Sequence, residues 1–141
     1  MKKISCIIIL GVILLASCKK DKDDSSKTEI LTNGSWKITA IMVDEDGNGS
    51  YETDEYAIMP SCVKDNYLVF KTGGDLELNE GVSKCDVTDP QTQTTDWSLS
   101  QNETRITIDS DEYIIDVLNS STLRVKDDVP AYGMMITLTK R

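Results

Sequence analysis

Asp96-Trp97-Ser98-Leu99-Ser100-Gln101-Asn102-Glu103-Thr104-Arg105-Ile106-Thr107-Ile108-Asp109-Ser110-Asp111-Glu112-Tyr113-Ile114-Ile115-Asp116-Val117 holds the pattern that decides the fold. Trp97 and Leu99 share one side of the first segment, Ile106 and Ile108 one side of the second, and Tyr113, Ile115 and Val117 one side of the third. Apolar residues at period two mark strands with one buried face. Gln101-Asn102-Glu103 and Asp109-Ser110-Asp111 are short and polar, so each strand turns straight back on the last. The same grammar continues toward the C-terminus. Asn119-Ser120-Ser121 turns the chain, Leu123 and Val125 give a short strand, Asp127 to Pro130 a loop, and Met134, Ile136 and Leu138 the last strand. Toward the N-terminus, Tyr67 to Phe70 form a strand within 66–71, Gly73-Gly74-Asp75 a turn, and Leu76 and Leu78 the next strand. A further strand is expected over 82–87, including Cys85, before Asp89-Pro90 opens a polar connection. The first strand spans 36–43, with Trp36, Ile38, Ala40 and Met42 on its apolar face, after a helical turn over 28–33 that Gly34 ends. The segment 55–59 is short, and Pro60 breaks it. Eight or nine strands and no long amphipathic helix predict an all-β antiparallel meander closed into a small barrel.

Between the first two strands lies Asp44-Glu45-Asp46-Gly47-Asn48-Gly49-Ser50-Tyr51-Glu52-Thr53-Asp54-Glu55, which fits a twelve-residue calcium loop. Asp44, Asp46 and Asn48 take positions 1, 3 and 5, Gly49 the turn, Ser50 the backbone carbonyl at 7, Glu52 position 9 and Glu55 position 12. Alternate oxygens of a tightly curled loop converge on one point, and calcium is a hard ion that prefers them. Two features depart from the helix-loop-helix form. A strand precedes the loop, and Tyr51 replaces an aliphatic residue at position 8. The same residue types also suit an acidic surface turn.

The chain has 141 residues, enough for one domain. Lys2 and Lys3 precede an apolar run from Ile4 to Leu15, and Leu15-Ala16-Ser17-Cys18 follows. This resembles a bacterial lipoprotein signal peptide, which implies removal of residues 1–17 and lipidation of Cys18 by diacylglycerol and an acyl chain, with a membrane anchor there. A plain secretory signal is the alternative. Residues 18–28 are a polar tether with nothing to bury. Its Lys22-Asp23-Asp24 resembles the export signal by which lipoproteins of Bacteroidetes-type bacteria reach the cell surface of the outer membrane; an arbitrary spacer would read the same. Loss of Lys2 and Lys3 leaves 13 basic against 24 acidic residues and moves the formal net charge from -9 to -11. That acidity argues against nucleic acid as a partner. Of the four cysteines, Cys62 and Cys85 remain as a pair, and a disulfide between them suits an oxidising compartment.

Gly34-Ser35-Trp36 at the head of the first strand is similar to the Gly-x-Trp signature of lipocalin and calycin barrels. Together with the meander, the Leu15-to-Cys18 motif and the placing of Cys62 and Cys85 around residues 65–74, it resembles the small lipocalin-like domain of Bacteroidetes lipoproteins. The likeness covers most of a domain over 29–141. It implies that Trp36 plugs one end of the barrel under an arginine from a late strand, with Arg124 a better fit than Arg105. Trp97, Tyr113 and Met134 are candidate ligand-binding residues; a small barrel filled by its own side chains is the alternative. An enzyme is not expected: the chain has no histidine, its serines sit in turns, and Asp109/Asp111 and Asp127/Asp128 read as solvated turn residues. Two readings stay open. One is a non-catalytic binding module for a small apolar or glycan-derived ligand, requiring a cavity of at least a few hundred Å³ with one open mouth. The other is a filled, calcium-stiffened barrel serving an outer-membrane complex, or acting as an adhesin, through an exposed apolar patch.

Overall fold

A computed structural model describes residues 26–100, 102–128 and 132–141; the signal-like segment, Cys18, Gln101 and Pro130 lie outside the described residues. The order of elements is α1 (Lys27–Thr32), β1 (Trp36–Asp44), β2 (Thr53–Asp54), α2 (Glu55–Ile58), α3 (Ser61–Lys64), β3 (Tyr67–Phe70), β4 (Asp75–Asn79), β5 (Thr92–Ser100), β6 (Arg105–Ile108), β7 (Asp111–Leu118), β8 (Thr122–Lys126) and β9 (Gly133–Lys140). From β3 onward every strand pairs antiparallel with the next, and β9 returns to pair with β1 along its whole length, from Trp36↔Lys140 to Asp44↔Gly133. Trp36↔Leu68 joins β1 to β3 and closes the barrel. Eight strands form the closed barrel, and the short β2 lies against Met42 and Val43.

Inward faces follow the period-two pattern until a bulge resets it. In β1 the register shifts between Ile38 and Ala40, so Ile41 and Val43 become the buried residues in place of the expected Ala40 and Met42. In β7 the shift between Ile115 and Val117 makes Asp116 the extra residue, and Leu118 packs on the core where Val117 was expected. A bulge sets two residues against one and reverses the alternation beyond it. The core itself runs through Leu31, Trp36, Phe70, Leu76, Ile106 and Leu123, all within 2% of full burial.

Residues 82–87 do not form the expected strand. β4 stops at Asn79, whose side chain accepts from Gly81 N, and Asp65 Oδ2 accepts from both Val82 N and Ser83 N at 2.9 Å. The backbone donors that a strand would spend on a neighbour go to side chains instead. Val82 and Val87 are 90% and 87% exposed. The chain rejoins the sheet at Thr92, earlier than the expected start at Asp96.

Antiparallel alternation sorts the connections between two ends. At one end lie α1, the start of β1, the β5–β6 turn and the end of β9. At the other lie the 45–52 loop, the 80–91 connection, the β6–β7 turn and the connection from β8 to β9.

Candidate functional site

The α1 end is shut. Leu31 and Trp36 are fully buried, and the Trp36 indole Nε1 donates to Leu31 O at 2.8 Å. Lys27 Nζ reaches the carbonyl of Glu103 on the β5–β6 turn, and Lys140 Nζ reaches Ile30 O at 3.2 Å. The helix is thus tied to opposite sides of the barrel rim. The cation over the Trp36 ring is Lys140, 5.1 Å from its centroid, and this corrects the expectation of Arg124. Lys140 stands directly across from Trp36 in the β1–β9 register. Arg124 lies between buried Leu123 and Val125, so the strand turns it outward, where its Nε meets Asp116 Oδ2 at 2.6 Å. This bond, with Lys126 3.6 Å away, holds the Asp116 carboxyl below the usual range. Arg105 also points away from Trp36, toward Glu112 and Asp128.

Deeper in the barrel is an apolar chamber of about 170 Å³, walled by Ile38, Phe70, Ile108, Val125, Ile136 and Leu138 among others. Tyr113 lines this chamber and also a wider hollow of about 470 Å³ at the open end, shared with Arg105, Asp111, Glu112, Asp127, Asp128 and Met134. Of the three residues expected to contact a ligand, Tyr113 borders both spaces and Met134 the mouth. Trp97 lies elsewhere. It is buried in the core, with its ring edge-on to Phe70 at 5.1 Å and its Nε1 donating to Lys71 O at 3.0 Å.

The mouth is acidic. Among the described residues Arg105 is its only cation, and it is engaged by Asp128 at 2.7 Å and Glu112 at 3.2 Å, which raise its pKa. Asp127 Oδ1 accepts Met134 N at 2.8 Å. Burial, then the charges of Asp111 and Asp127, push the Tyr113 hydroxyl above the ordinary tyrosine pKa. Asp111 and Asp127 read as turn residues in the sequence. A usable signal was there: each sits two positions from an inward residue, Tyr113 and Val125, and so continues the inner face.

The 44–55 segment makes a tight loop at this end. Asp44 is 5% exposed and accepts Gly47 N and Gly49 N at 2.8 Å and Asn48 N at 3.2 Å. Gly49 has φ of 89°, the left-handed turn that the motif needs there. Carboxylate oxygens of Asp44, Asp46 and Glu52 lie within 4.8 Å of one another, an acidic trio that could hold a metal ion. Asn48 Oδ1 is turned to Ser50 N at 2.8 Å, and Ser50 is exposed. Glu55 stands outside the trio and opens α2, whose N-terminus Asp54 caps at Ala57 N. The physical reason is β2: pairing of Thr53 and Asp54 with β1 draws the end of the loop along the sheet. Tyr51 packs toward β9, where a Cβ on Gly133 would meet its hydroxyl at 3.3 Å.

Cys62 and Cys85 are disulfide-bonded, Cα atoms 5.2 Å apart, and tie the 80–91 connection to α3. Around the bridge, Ile58, Val63, Val82 and Val87 are exposed.

The profile of the lipocalin-like domain family matches residues 32–125. Among solved structures, the chain is similar to a lipocalin-like protein from Bacteroides uniformis at 16% identity, over 79% of this chain and 99% of that one, with a TM-score of 0.49. It is also similar to a DUF4847 family protein from Bacteroides vulgatus at 11% identity, over 77% of this chain and 94% of that one, with a TM-score of 0.52. At 11% identity this second likeness speaks to the fold alone. No curated protein matches the chain.

Proposed function

We propose, from the premise that this chain belongs to the lipocalin-like domain family over residues 32–125, that it is a non-catalytic binding module for a small ligand with an apolar end. The observation that carries this reading is the apolar chamber of about 170 Å³, shut at the Trp36 end and bordered by Tyr113 at the other. It is smaller than the few hundred Å³ expected from sequence. It matches the scale of an engineered cavity of ~150 Å³ that stays dry and admits benzene. The ligand therefore places a group of that size inside and the remainder in the wider mouth.

Calcium and the membrane belong to the same reading. Asp44, Asp46 and Glu52 would hold the ion, which suits their hard oxygens and would stiffen the loop beside β9. Lipid on Cys18 would hold the protein to the outer membrane, facing the cell surface, where a captured ligand could be passed to an importer. Methyl-resolved NMR with toluene tests the central claim. Shifts at the methyls that line the chamber, Leu123, Val125 and Ile136 among them, lost in Val125→Phe, are expected. No shift at these methyls would end the chamber reading.

One observation favours a second reading, an interaction or adhesive surface. Val63 neighbours one bridged cysteine, Val82 and Val87 flank the other, and all three are exposed, as is Ile58. Pull-down of an outer-membrane partner that Val82→Ser/Val87→Ser abolishes would support it.

A further inference from the structure

The walls of the chamber change character within one step of the strands. Ile108 lines the chamber, and Asp111, directly across from it in register, lines the mouth. Val125 is followed two residues later by Asp127, and Ile136 is preceded two residues earlier by Met134. Two residues along a strand span ~7 Å. An apolar group in the chamber thus has the two carboxylates within a few bonds. Glu112 and Asp128 share the charge of Arg105, whereas neither Asp111 nor Asp127 has an ion pair among the described residues. Their charges also converge at Tyr113, the residue common to both spaces.

A neutral group would leave both carboxylates without a counter-charge, Asp127 keeping only its bond from Met134 N, and an anion would be repelled. A cation would be attracted by both, most of all by Asp127, which is half-buried and less screened than the exposed Asp111. Resting on the chamber reading above, we infer that the ligand is a small organic cation: an ammonium held between Asp111 and Asp127, joined by two or three bonds to an apolar group of benzene size that enters the chamber.

Three probes of nearly one shape test this: 2-phenylethylamine, 2-phenylethanol and phenylacetate, titrated calorimetrically into the purified protein at low salt. The amine should bind at least about tenfold more tightly than the alcohol, a difference of about 1.4 kcal/mol, and the anion more weakly than either. The ratio of amine to alcohol should fall toward one in Asp111→Asn/Asp127→Asn, where the amide oxygen introduced at position 127 can still accept Met134 N. It should also shrink in the unaltered protein at roughly 0.5 M salt, where the Debye length is a few Å; this arm holds even if the double variant folds poorly. Equal affinities, a preference for the anion, or a preference for the amine that neither salt nor the variant reduces would overturn the inference while leaving the chamber reading in place. Binding of none of the three would overturn both.

Discussion

Replacing Trp36 by Phe should destabilise the barrel more than any other single aromatic change at its closed end. The indole is fully buried, and its Nε1 gives the only described hydrogen bond from a side chain to Leu31 O. Phenylalanine removes that donor and leaves a buried acceptor unpaired, at about 1–3 kcal/mol. The smaller ring also leaves a void beside Leu31, adding roughly 1 kcal/mol. Attraction between the ring and Lys140 is weakened, worth at most about 0.5–1 kcal/mol at a half-exposed site. The total is about 2–5 kcal/mol, which for a domain of this size lowers the thermal midpoint by roughly 8–20 °C. Melting followed by circular dichroism, with calcium held constant, measures it. Two controls separate the contributions. Lys140→Met should cost under about 1 kcal/mol and alter Trp fluorescence, and Arg124→Met should leave the fluorescence unchanged. A fall of less than about 3 °C for Trp36→Phe would refute the plug. A spectral change in Arg124→Met would refute the assignment of Lys140.

Calcium at ~1 mM should raise the midpoint by the equivalent of about 1.4 kcal/mol if Kd is near 0.1 mM; differential scanning calorimetry should show the rise lost in Glu52→Gln and kept in Glu55→Ala, and the reverse pattern would return the loop to its twelve-residue form. Gly81→Ala should destabilise by upwards of about 2 kcal/mol in urea unfolding, since φ is 68° and a Cβ would lie 2.5 Å from Asp65 O; an unchanged midpoint would be inconsistent with that approach. Cys62→Ser/Cys85→Ser opens a link spanning 23 residues and should cost about 3 kcal/mol by the same measurement. The raised pKa of Tyr113 means that its neutral form stabilises the fold fully below pH ~10, and that this contribution is lost as pH rises through the folded-state value. Ultraviolet titration should show a late phase that is absent in Tyr113→Phe, and that variant should lose less stability at alkaline pH; a late phase that persists in Tyr113→Phe would contradict it.

Much of the barrel was legible because local rules and tertiary structure agree. Trp97, Leu99, Ile106 and Ile108 keep strict alternation between polar turns, and each of these strands pairs as the turns dictate. Legibility failed where a single residue breaks the period. Nothing in Ile38-Thr39-Ala40 or Ile115-Asp116-Val117 announces a bulge, because β-branched and apolar residues occupy both faces and either register buries some of them. It failed again at Val82 and Val87, which have strand composition, because Asn79 and Asp65 accept the N–H groups of Gly81, Val82 and Ser83, and Asp86 accepts that of Thr88.

By itself the sequence determined the class of fold, the run of antiparallel strands from Asp96 to Leu138, the sharply turned loop at Asp44 and the pairing of Cys62 with Cys85, since these follow from periodicity, turn chemistry and a count of thiols. Only the tertiary structure decided which cation covers Trp36, which acids gather near Asp44, that Trp97 belongs to the core, and that Asp111 and Asp127 stand together at the mouth. Most of these are distances between residues far apart in the chain, and the acids near Asp44 depend on the pairing of Thr53 and Asp54 with β1. Strand register and barrel closure set them, and no local pattern encodes the gap left between walls once the core has packed.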